Sequence, residues 1–170
     1  MAEGSPDVPQ IIDLSTVRAD GDGYTYETSY GSKVITITEG GFYTLNQSDG
    51  GTVTANVIVE PTTEDQEVTL ILNGVNIRAG GHRQTSRYDQ GMQTGTAAIS
   101  VQGNAICNLI LADGTTNTLN GYNGGANTLF RTAAISVENT YHNGVARLST
   151  LKISGSGNLN ATGVEQAAAI

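Results

Sequence analysis

The chain has 170 residues, a formal net charge of −8, one Cys, three Pro and no Trp. Its length suits one domain with a sizeable core. Its acidity argues against a nucleic-acid partner, because phosphate binding needs clustered basic residues, and it holds no apolar run of about 18 residues to span a membrane.

The stretch Met1–Asp7 has neither a charged n-region nor an apolar h-region. Such a start reads as a cytosolic chain or as one whose signal peptide an initiator Met has replaced. The Lys-poor, Thr/Asn/Gly-rich composition favours an extracellular or cell-surface location. Residues 1–32 form an N-terminal cap or arm, in which Ile11–Leu14 and Tyr24–Tyr26 alternate weakly as capping strands. The pair Asp20-Gly21-Asp22 looks like half a calcium loop without its later acid.

From residue 33 to 170 the chain repeats. Ala97–Val101 (Ala-Ala-Ile-Ser-Val) returns unchanged as Ala133–Val137, and Ala168–Ile170 opens in the same way. A second set of segments, Val68–Leu72, Asn108–Leu111 and Leu151–Ile153, precedes an Asn, Asp or Ser turn with Gly. A third, Phe42–Asn46, Val75–Ile77, Asn117–Asn120 and Asn158–Asn160, follows those turns. Three short β-branched strand types in fixed order, recurring at a solenoid period, predict an all-β fold. The expected form is a right-handed parallel β-helix, three-sided, of about four coils, over 33–170. Helical repeats lack support in these short segments, and a propeller needs more chain. Cys107 lies inside an apolar strand and reads as a small buried hydrophobe. Ile170 stops in mid-strand, leaving an open edge that invites pairing with another chain.

Val34–Leu45, Val68–Ile77 (Val-Thr-Leu-Ile-Leu-Asn-Gly-Val-Asn-Ile), Ala97–Val101 and Leu111–Leu119 together resemble a bacterial family. It is the secreted carbohydrate-binding-domain family with a pectate-lyase-like right-handed parallel β-helix. The resemblance covers roughly residues 30–170. It implies binding of acidic or plant-type polysaccharide such as polygalacturonate, and it implies calcium.

Three sets of residues are candidates for chemistry. Arg78, His82, Arg83, Arg87 and Tyr88 gather in the insertion 78–96, where Arg forks suit uronate carboxylates and a Tyr ring suits a sugar face. The competing reading is neutralisation of nearby acids such as Asp89. Glu60, Gln102 and Glu138 each follow a third strand and form a column. With Asp65 beside them, Glu60 and Glu138 make an oxygen-rich corner suited to calcium, although Gln102 between two Glu also has a structural reason. Ile11, Leu14, Ala169 and Ile170 are candidates for assembly through the open ends. A compact acid cluster facing Lys152, Arg131 or Arg147 is missing, His142 lies in a turn-like loop, and no nucleophilic triad or metal motif appears. The expectation is therefore no catalytic residue and no enzyme. The alternatives are a structural subunit stacking head-to-tail into an extracellular filament and, third, a polysaccharide lyase.

Overall fold

The computed structural model describes residues 8–63, 65–82, 94–95, 97–122, 132–142, 145–164 and 169–170. Among them every regular element is a strand and none is a helix, as short β-branched segments broken by Gly and Asn require. The first seven are β1 (Gln10–Asp13), β2 (Tyr24–Ser29), β3 (Ser32–Ile37), β4 (Gly41–Asn46), β5 (Val53–Val59), β6 (Glu67–Asn73) and β7 (Asn76–Arg78). Then come β8 (Gly81–His82), β9 (Thr94–Gly95), β10 (Ile99–Val101), β11 (Ile106–Leu111) and β12 (Thr116–Asn120). The last are β13 (Ile135–Val137), β14 (Thr140–His142), β15 (Val145–Arg147), β16 (Thr150–Gly155) and β17 (Asn158–Thr162).

Two sheets carry the fold. The first has five strands in the order β1-β4-β6-β11-β16, each pair parallel. The second has eight: β13-β10-β5-β7-β12-β17, with β3 on β5 and β2 on β3. Repetition in the sequence corresponds to pairing register. Ile99, Ser100 and Val101 lie beside Ile135, Ser136 and Val137, and beside Val57, Ile58 and Val59. Likewise Cys107–Leu111 sits beside Val68–Leu72.

These sheets correct the expected fold. The chain is not a single three-sided right-handed β-helix, because its strands gather in two main sheets and parallel pairing is mixed with antiparallel. Three local features account for the difference. Strand β5 belongs to both outer strand types: Val53 and Thr54 pair with β7, whereas residues from Ala55 onward pair with β3 and β10. At β5, therefore, no break in the strand separates a second side from a third. Strand β2 turns back at Tyr30-Gly31 and runs antiparallel to β3. Two further antiparallel hairpins, β8–β9 and β14–β15, form at insertions. The N-terminal strands sit on the sheets: β1 lies at the edge of the first, and β2 pairs with β3 in the second.

The core lies between the two sheets. Period-2 alternation turns Tyr43, Leu45, Leu70, Leu72 and Leu109 inward from one sheet and Ile35, Val57, Ile77, Ile99 and Leu119 from the other, all buried. Each such side chain contributes on the order of 1.5–3 kcal/mol by leaving water. Ala98 and Ala134 are buried too, and their small size suits a place where the backbones crowd. Cys107 is buried, and burial pushes its thiol up to about 12. Burial, then the nearby Glu39 and Asp22 charges, pushes the Tyr43 hydroxyl up to about 12 as well; it donates to the Glu39 carbonyl at 3.0 Å.

Two buried asparagines fasten this core. The Asn117 Oδ1 accepts from the Gly74 and Val75 amides at 2.9 and 3.1 Å, and its Nδ2 donates to Thr115 Oγ1 and the Asn158 carbonyl at 3.2 and 3.3 Å. One side chain thus holds three tiers of strands. The Asn56 Oδ1 accepts from the Ser32 hydroxyl at 2.7 Å, and its Nδ2 donates to the carbonyls of Gly80 and Ala97 at 3.3 and 3.1 Å. Replacing Asn117 by Ala strands the Val75 amide inside the protein and frees the Gly74 amide at the turn. The expected loss is roughly 1–3 kcal/mol, the cost of an unmet buried polar group, read as a lower urea midpoint at unchanged slope. A change within about 0.5 kcal/mol, typical of neutral surface substitutions, would contradict the clamp.

Candidate functional site

A cleft of about 470 Å³ opens where the β2–β3 hairpin meets the ends of β7 and β12, lined by Tyr30, Thr54, Arg78, Ala79, Gly80, Gly81, Asn120, Gly121 and Tyr122. Its floor is a register row. Thr54 lies beside Arg78, and Arg78 beside Asn120. Ile77 and Leu119 point into the core, so their neighbours Arg78 and Asn120 point out, by the alternation of a strand. The Arg78 Nη2 donates to Thr54 Oγ1 at 3.3 Å, which lays the guanidinium along the row.

Two tyrosines wall the cleft. A Cβ built on Gly81 would meet the Tyr122 hydroxyl at 3.0 Å and its ring at 3.2 Å, so the ring lies over bare backbone. The Tyr122 amide donates to Thr132 Oγ1 at 2.6 Å, which fixes where the ring leaves the chain. Gly80 is equally constrained: a Cβ there would come within 2.3 Å of Ser32 Cβ. That approach brings the hairpin against the start of the insertion, and the Asn56 bonds to Ser32 and Gly80 hold both together.

Tyr30 forms the other wall. It is 60% exposed and occupies the left-handed region at φ 47°, followed by Gly31 at φ 78°. Ser29 and Ser32 pair across this two-residue loop, the geometry of a type I′ turn, where Asn or Gly is favoured and Tyr is not. An aromatic residue kept in a costly conformation on a cleft rim marks a place where stability has yielded to another demand.

The residues singled out in the sequence scatter. Arg78 is in the cleft. Gly81 and His82 form β8, while Arg83, Arg87 and Tyr88 lie outside the described residues. Glu60, Gln102 and Glu138 do line up after Val59, Val101 and Val137, but Gln102 Nε2 donates to Glu60 Oε2 at 3.0 Å. Asp65 accepts from Asn104 Nδ2 at 2.7 Å. Amide partners thus occupy two of the three carboxylates, and among the described residues no group of three His, Cys, Asp or Glu side chains is placed to hold a metal ion. Of the assembly residues, Ile11 is 65% exposed on the edge strand and Ile170 is 57% exposed, whereas Leu14 is buried in the core. The Ala169 carbonyl accepts from the Ala134 and Ile135 amides at 3.0 and 3.1 Å. No helix among the described residues is long and apolar enough to cross a membrane.

Sequence reasoning missed Tyr30, Thr54, Asn120 and Tyr122. The first carried a signal: Tyr30-Gly31 between two alternating segments is a hairpin turn with an unsuitable first residue. Changing Tyr30 to Asn is expected to raise stability by ~1 kcal/mol, the scale of a left-handed conformation in an ordinary residue. In a chain of this length that is a rise of about 2–4 °C in melting temperature. An unchanged or lowered melting temperature would show that the turn carries no such cost.

No protein-family model, no curated protein and no solved structure matches the chain, so these comparisons identify no carbohydrate-binding family.

Proposed function

We propose that the protein binds acidic polysaccharide in the Tyr30/Arg78/Tyr122 cleft and performs no catalysis there. The observation that carries this reading is the meeting of one outward guanidinium with two tyrosines around a single cleft. Arg recognises a carboxylate through paired N–H donors, and an aromatic ring offers the apolar face that a sugar ring covers. The rest of the floor, Thr54 and Asn120, supplies hydroxyl and amide groups of the kind that meet sugar hydroxyls. In a chain of net charge −8, a polyanion is drawn by local contacts rather than by the overall field.

The resemblance in the sequence points to the same ligand class and to secretion. Localisation outside the cell belongs to this proposal, since uronate polymers are found there.

The test is a comparison of polygalacturonate with its fully methyl-esterified form by titration calorimetry, in calcium-containing buffer and again with a chelator. Arg78→Ala is expected to weaken polygalacturonate binding about tenfold or more, the scale of one charge-assisted hydrogen-bonded contact. The esterified polymer should bind wild type and variant alike. Arg78 is exposed, so the melting temperature should hold. Equal affinity of wild type and Arg78→Ala for polygalacturonate would remove the cleft from the function.

A further inference from the structure

We infer that the bound glycan lies across the strands, along the row Thr54–Arg78–Asn120–Thr162, so that the site reads several consecutive sugars rather than one. This inference rests on the cleft being the binding site. The row is set by register: Thr54 is beside Arg78, Arg78 beside Asn120, and Asn120 beside Thr162. The four residues sit on neighbouring parallel strands, ~4.8 Å apart at each step, and present a hydroxyl, a guanidinium, a carboxamide and a hydroxyl. Main-chain bonds keep the steps level, the Ala79 amide donating to the Asn120 carbonyl and the Gly121 amide to the Thr162 carbonyl, both at 2.9 Å.

The alternative direction, along β7, is obstructed at both ends. Past Arg78 the chain reaches Gly81, which the Tyr122 ring covers. On the other side Asn76 is already engaged, its Nδ2 donating to Thr52 Oγ1 at 3.0 Å and its amide to Gln47 Oε1 at 2.7 Å. Across the strands the row begins beside the hairpin. Lys33 pairs with Ala55, which sets Ser32, and with it the Tyr30 turn, at the Thr54 end. It finishes at Thr162, exposed on the sheet's last strand. A row of four polar side chains bounded by an aromatic residue at one end suits an extended, unbranched oligouronate of three or more residues.

Titration calorimetry with di-, tri-, tetra- and pentagalacturonate tests this on the whole chain. For the wild type, affinity is expected to rise from the dimer to the tetramer by about tenfold or more, the sum of one or two added hydrogen-bonded contacts. The variant Thr162→Val, at the exposed edge outside the cleft, should bind the dimer as the wild type does and lose the last step of that gain. Wild-type affinity equal for dimer and pentamer, or a full gain retained in Thr162→Val, would overturn the cross-strand row while leaving the cleft as the site. Failure of every oligomer to bind the wild type would overturn the cleft reading and this inference together.

Discussion

The Asn56 side chain is the constraint on which the cleft depends. It is fully buried, where an unmet amide is costly, and it reaches three separate pieces of chain. Ser32 begins the strand after the Tyr30 turn, Gly80 stands at the start of the long insertion, and Ala97 stands at its end. The hairpin tip and the cleft backbone are therefore fixed to one point, beneath the surface that carries Tyr30 and Arg78. A ligand-binding site gains affinity when its groups are ordered before the ligand arrives. Here the ordering comes from an amide in the core rather than from ionic contacts at the surface.

Asn117 does the same for the opposite corner, joining the turn at Gly74 to the strand of Asn158. Both asparagines stand among residues whose inward neighbours are aliphatic. Parallel strands bury their pleats on the core side, so the turns between them leave backbone groups that no ladder serves. A carboxamide, with two donors and an acceptor, serves several of them at once. Shape and cleft thus follow from one requirement, that backbone groups at the turns be satisfied.

Much of the pairing was legible in the sequence. The repeated Ala-Ala-Ile-Ser-Val segments do lie in register, because identical inward residues stack best on themselves, and Cys107 is buried as its apolar neighbours imply. The three-sided helix was wrong because nothing in a list of strand types shows that β5 serves two pairings, or that Tyr30-Gly31 reverses the chain. Of the candidate site, Arg78 alone was both named in advance and placed in the cleft. Its partners come from positions 24 and 42 residues away along the chain, Thr54 and Asn120, and only register brings them together. The Glu60 column was legible for the same reason that the repeats were, but the Gln102 amide that sits between the acids gives it a structural role.

The most direct measurement of the account is a titration of tetragalacturonate into uniformly 15N-labelled protein, followed by amide chemical shifts. The account expects the largest shifts at Tyr30, Gly80, Gly81, Asn120, Gly121 and Tyr122, with smaller changes reaching Thr162. Shifts concentrated instead around Glu60, Asp65, Gln102 and Glu138 would place the ligand at the acidic corner and contradict it.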